Sequence, residues 1–264
     1  MPTNSLPRRG LMAALPLLAA GPAQAAPDGS LRRVLDAGVI RLGVQVEETM
    51  AARRIADGSL RGYLPELGRR IAAGLGVGAE FVPVSRGDML GLLLQGQFDV
   101  GLGGAIASTW LAQNLLLSEP IMQFQLVVLT PRNRVVSGMT ELRDMRVGVL
   151  EGRGFVEALR EAGLEEARIV THATWQEAAA ALTQGAQQAV ILPTHHARAI
   201  THVAPQVTPR FGLGEFWHCA LLRLGEHDLL RALDVLLYLL RQEGELPALH
   251  RAFFDRHLNA RGAQ

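Results

Sequence analysis

The chain has 264 residues, 48% of them hydrophobic and 19% charged. That length suits one large domain or two lobes of ordinary size, with apolar content enough for a substantial core. A net charge of +1 and an aromatic content of 5% exclude the basic stripe of a nucleic-acid binder and the strong field of a membrane-surface binder.

The first 25 residues read as an export signal. Arg8 and Arg9 precede an apolar run from Leu11 to Ala20, and Ala23-Gln24-Ala25 follows as a small-residue cleavage site. The run is shorter than the about 20 residues that span a bilayer. The sequence therefore predicts cleavage after Ala25 and a mature protein free in the periplasm. The paired arginines leave the general secretory and the twin-arginine routes both open. Cys219 is the one cysteine, so no intramolecular disulfide forms, and a buried, unreactive thiol is expected.

Beyond the signal, strand and helix patterns alternate, which points to an α/β class. Strands are expected at 39–46, 80–84 and 98–102, with helices at 63–75 and 89–95. Leu64, Leu67, Ile71 and Leu75 fall three or four apart, the spacing of one helix face, and Gly76 is a fitting stop. A strand at 125–130 leads into Pro131-Arg132-Asn133-Arg134. A second set follows, with strands at 146–150, 169–171 and 188–192 and helices at 154–162 and 175–183, the latter closed by Gly185. Residues 216–222 look extended. Leu229, Leu233, Leu236, Leu237 and Leu240 form a helical stripe, and a last helix at 246–257 follows a break at Gly244.

This order of motifs resembles the family 3 periplasmic solute-binding proteins of ABC transporters over nearly the whole mature chain. Leu35-Asp36-Ala37-Gly38-Val39-Ile40-Arg41-Leu42-Gly43-Val44 looks like that family's opening helix and first strand. Asp57-Gly58-Ser59-Leu60-Arg61-Gly62-Tyr63 looks like its hairpin. Gly96-Gln97-Phe98-Asp99 is similar to its G-x-x-D turn, and Ser118-Glu119-Pro120 sits where the family has F-S-x-P-Y. Arg146-Val147-Gly148-Val149 with Gly152 looks like the first strand of the second lobe. Gly244-Glu245-Leu246 through Phe253 and Phe254 resembles its closing turn and helix.

The resemblance implies a periplasmic-binding-protein-like α/β fold: two lobes joined by two hinge crossings. Lobe one would take 26–128 and 225–264, and lobe two 129–224. The crossings would fall near 129–132 and 221–224. The solute would sit in the cleft, and closure would be a hinge motion.

Amino-acid binders must compensate a buried α-carboxylate and α-ammonium. The family's T-x-T-x-x-R turn, which supplies the carboxylate clamp, reads Ala105-Ile106-Ala107-Ser108-Thr109-Trp110 here, with Trp110 in place of the arginine. The aspartate for the ammonium falls at Pro193. The Y-P-P-F aromatic lid falls on Glu48-Thr49-Met50-Ala51. The pocket thus departs from the amino-acid pattern at three points. The ligand-binding candidates are Glu47, Glu48, Ala105, Trp110, Arg153 and His195, with His196 beside the last. Arg153 could grip an anion at a helix start, and Trp110 offers a stacking face. Each also fits an ordinary role: solvated loop charge for Glu47, Glu48 and Arg153, core residue for Trp110, cap or surface residue for the histidines.

Other signals are weak. Gly101-Leu102-Gly103-Gly104 lacks the third glycine and distal acid of a dinucleotide fingerprint. Histidines 195, 196, 202 and 218 match no zinc spacing, so neither metal nor cofactor is expected. No catalytic residue is assigned. The leading expectation is a monomeric, non-enzymatic periplasmic binder of a small organic solute, not a standard amino acid, serving an ABC permease. One alternative is an accessory partner of a periplasmic quinoprotein alcohol dehydrogenase, a role that some proteins resembling this family fill. Another is a dehydratase-like enzyme using Glu47 and His195 for acid–base work.

Overall fold

A computed structural model describes residues 28–47, 49–103 and 106–254; the segment at 1–25, expected to be an export signal, lies outside them. The first half builds α1 (Ser30–Ala37), β1 (Val39–Gln45), a small hairpin β2 (Arg53–Arg54) and β3 (Leu60–Arg61), α2 (Tyr63–Leu75), β4 (Gly78–Val84), α3 (Met89–Leu94), β5 (Val100–Leu102) and α4 (Thr109–Asn114). The long β6 (Leu115–Pro131) leads into α5 (Met139–Leu142), β7 (Val147–Leu150), α6 (Arg153–Glu161), β8 (Ile169–His172), α7 (Trp175–Thr183), β9 (Ala189–Pro193) and α8 (Thr194–Val203). A second long strand, β10 (Val207–Arg223), returns the chain to α9 (His227–Gln242) and α10 (Glu245–Phe254).

One eight-stranded sheet runs in the order β4-β1-β5-β10-β6-β9-β7-β8. At one end β1 pairs parallel with β4 and β5. At the other end β7 pairs parallel with β8 and β9. Between them β6 and β10 pair antiparallel, from Val207 opposite Pro131 to Arg223 opposite Leu115. Parallel strands need crossover helices, and helix signals fall between the strands of each set. The molecule therefore has two α/β halves joined by an antiparallel ribbon. Residue 129 lies at one end of that ribbon, where Leu129 pairs with Val190 of β9. Residue 221 lies at the other, where Leu221 pairs with Gly101 of β5.

Local chemistry explains the elements. α2 buries Leu64, Leu67 and Ile71, the face set by its three-four spacing. Gly76, at φ 72°, ends it in the left-handed conformation with its N–H on the carbonyls of Ala72 and Ala73. α9 buries Leu229, Leu233 and Leu237, while Leu236 and Leu240 are half-buried.

The structure extends two expected strands and adds three helices, α4, α5 and α8. β6 starts ten residues earlier than 125, and β10 nine residues earlier than 216. Each extension contains a proline, Pro120 in β6 and Pro209 in β10. Pro120 sits opposite Cys219, where the register of the ribbon shifts, and another shift lies between Pro209 and Gly212. Irregular positions are where a strand tolerates a residue that cannot donate to the ladder. α8, where no element is expected from the sequence, buries His195, His196, Ala197 and Ile200, so the histidines are not surface residues. Packing holds it despite the modest helix propensity of its Thr and His residues. Among the described residues no helix is long and apolar enough to cross a membrane.

Candidate functional site at the seam between the halves

The seam is built around Glu47, in the loop that follows β1. Its N–H bonds the carbonyl of Ala52 at 3.1 Å, and the neighbouring Val46 N–H bonds Val84 O at 3.1 Å, so the loop is held against β4. The Glu47 side chain is 12% exposed. Its Oε1 accepts from Gln45 Nε2 and from Arg86 Nη2. Arg86 lies between β4 and α3, and its side chain is 8% exposed.

The opposite half supplies the rest. His195 and His196 open α8 directly at the end of β9, with side chains 2% exposed. Their Nε2 atoms lie 3.3 and 3.0 Å from Glu47 Oε2. Thr194 fixes that helix start: its hydroxyl donates to Gln125 O at 2.9 Å and accepts from Gln125 N at 3.2 Å. Trp175 opens α7, which Thr174 caps by accepting from Glu177 N. The indole Nε1 donates to Glu47 O at 2.9 Å. The Arg86 guanidinium also sits 5.2 Å from the ring centre of Phe155 in α6, a cation–π contact across the seam. Three contacts from the second half thus converge on Glu47, and a fourth reaches its partner Arg86.

Electrostatics follow from this packing. Burial alone would push the Glu47 carboxyl up. His196, the Arg86 guanidinium and the hydrogen bonds from both imidazoles outweigh it and hold the pKa well below the usual carboxylate range. Burial lowers the His195 pKa from 6.5 to about 4, His196 adds to the effect, and Glu47 opposes it. At neutral pH the centre is therefore a carboxylate facing a neutral His195. Arg86 Nη1, His196 Nδ1 and Gln45 Oε1 are buried without a hydrogen-bond partner. Buried polar atoms are rarely left so, and these three stand together.

Two cavities meet at Arg86. A polar one of about 240 Å³ is lined by Gln45, Glu47, Arg86, Glu151, Trp175 and His196, among others. An apolar one of about 320 Å³ is lined by Arg86, Leu90, Ile106, Trp110, Leu111 and Phe155, among others. On the apolar side the halves also touch: a Cβ on Gly154 of α6 would stand 3.1 Å from Ile106 Cβ.

Residues 40–256 match the family of bacterial extracellular solute-binding proteins, family 3. The chain belongs to that family. The fold agrees with solved structures. Tv2483 bound to L-arginine superposes with a TM-score of 0.78 at 19% identity, covering 88% of this chain and 97% of that one. The ancestral amino-acid-binding protein AncCDT-1, a precursor of cyclohexadienyl dehydratase, gives 0.76 at 22% identity, covering 85% and 99%. The P235GK mutant of the T. maritima protein ArgBP gives 0.74 at 20% identity, covering 86% and 100%. Among curated proteins no sequence matches.

In this family 3 chain the candidate residues fall in different places. Glu47 and His195 are brought together at the seam. Trp110 lines the apolar cavity, half-buried. Glu48 and Ala105 lie outside the described residues, as does the Arg153 side chain, although α6 begins at that position. Sequence reading missed Arg86 and Trp175. Ser85-Arg86-Gly87 looks like any polar turn. The available signal was its place just past β4, since ligand clefts of α/β sheets form at strand carboxyl ends.

Proposed function

We propose that this family 3 chain is a periplasmic capture protein for a small carboxylate-bearing solute other than a standard amino acid, which it hands to an ABC permease. One observation carries the reading: the polar cavity at the seam, with the buried Arg86 Nη1 unpartnered on its wall. A solute carboxylate would satisfy that donor through a charge-assisted bond. At about 240 Å³ the cavity is smaller than the about 300–1,000 Å³ of drug-sized sites, which suits a solute of few heavy atoms. Trp110 and Pro193 stand where the resemblance puts the amino-acid clamp. Closure would turn on the β6/β10 ribbon. The signal-like start at 1–25 supports export.

A non-catalytic role is the consistent one. A general base works best with a pKa near the operating pH. Glu47 is held well below that range, and His195 at about 4, so the pair is poorly poised for dehydratase chemistry. Among the described residues no feature favours the accessory role beside a quinoprotein dehydrogenase.

A thermal-shift panel on metal-free mature protein tests the proposal. Small organic acids should raise the Tm by several degrees, because a ligand of the folded state stabilises it. The shift should vanish in Arg86→Gln, with folding checked by circular dichroism. A shift produced only by standard amino acids, or only by cations, would refute it.

A further inference from the structure

We infer that Glu47, His195 and His196 form a three-ligand site for a first-row divalent ion of the zinc type, with its remaining position open to the polar cavity. The donor atoms of the three residues all lie within 4.8 Å of one another. Zinc binds imidazole nitrogen at about 2.0–2.1 Å and carboxylate oxygen at about 2.0–2.2 Å. A tetrahedron with such bonds has edges of about 3.3 Å. The Glu47 Oε2 to Nε2 distances are 3.0 Å for His196 and 3.3 Å for His195, so two edges already stand near that length. An ion would enter with small side-chain shifts.

The chemistry of the set is selective. Two imidazoles and one carboxylate suit zinc, nickel or copper, whereas magnesium and calcium favour all-oxygen sites. The surroundings are those of a ligating carboxylate. Glu47 Oε1 accepts from Arg86 and Gln45, which turns Oε2 toward the imidazoles, as outer-shell bonds do around metal ligands. The nearby guanidinium and the unpartnered Nδ1 of His196 make the site weaker than a closed structural zinc centre. Glu47 and His196 both line the polar cavity, so the free position faces space for water or for a solute oxygen. Three protein ligands leave one position open, unlike the closed four-ligand shell of a structural zinc site.

The placement adds a consequence. Glu47 follows β1 in one half, and His195 and His196 begin α8 in the other. An ion held by all three ties the halves together. Spacing in the sequence could not reveal it, because Glu47 and His195 are 148 positions apart.

The test is isothermal titration of the chelator-treated mature protein with Zn2+, with Mg2+ as control. One equivalent of Zn2+ should bind, with no heat from Mg2+. Glu47→Gln and the double variant His195→Gln, His196→Gln should each weaken binding by tenfold or more. Co2+ should give visible absorption of four-coordinate intensity, lost in the double variant. Absent stoichiometric binding, affinity unchanged in these variants, or six-coordinate Co2+ spectra would overturn the site. The solute panel above uses metal-free protein, so the two proposals fail separately.

Discussion

Arg86 separates two chambers of unlike chemistry. On one side stand Gln45, Glu47, Trp175 and His196; on the other, Leu90, Ile106, Trp110, Leu111 and Phe155. The polar side carries a buried carboxylate that is tolerable only because Arg86, Gln45 and two imidazoles surround it. The apolar side needs no such compensation, and its halves meet through van der Waals contact. Recognition should therefore be sensitive to single atoms on the polar side and forgiving on the apolar side.

The largest effect should come from Arg86→Ala. It leaves the Glu47 charge without its guanidinium partner, and breaking a buried pair costs about 3–5 kcal/mol. Urea denaturation measures it. A loss below about 1 kcal/mol would mean that the polar chamber is as forgiving as the apolar one.

Acid should come next. In the metal-free protein the folded pKa of His195 is about 4 against 6.5, so the unfolded chain binds the proton more readily. The stability this gives is present above pH 6.5 and is lost as pH falls toward 4. The loss at full extent is about 3 kcal/mol. The depressed Glu47 pKa adds loss in the same direction at lower pH. Denaturation midpoints at pH 7 and pH 5 measure the slope, and His195→Gln should flatten it. A slope unchanged in that variant would place the titrating group elsewhere.

The smallest effect belongs to Gly154→Ala on the apolar side. The new methyl would crowd Ile106 at 3.1 Å, while alanine gains about 1 kcal/mol of helix propensity over glycine. The two should nearly cancel, leaving stability within about 0.5 kcal/mol of the parent. A loss above about 2 kcal/mol would show that this side is packed as exactingly as the other.

Much of the fold was legible from spacing alone. The leucines of α2 and α9 carry a three-four period that matches their buried faces, and the short apolar runs of β1, β7 and β9 match strands buried nearly throughout. The two long strands were less so, because Pro120, Pro209 and Gly212 interrupt the strand pattern in sequence, and register shifts in the ribbon accommodate them. The site divided in the same way. Glu47 and His195 stood out where the family pattern was missing. Arg86 did not, since its role exists only once the second half folds over it. Arg86 and Trp175 acquire meaning through contacts with Phe155 and Glu47, which no local window contains.

The ribbon of β6 and β10 has one more consequence. Both links between the halves are hydrogen-bonded strands of a single sheet, not free tethers. Fixing a loose residue costs about 1–2 kcal/mol of backbone entropy, and here that loss is already incurred when the chain folds. A solute that drew the halves together would therefore freeze no slack rope, and that part of the entropy cost of binding would already be met.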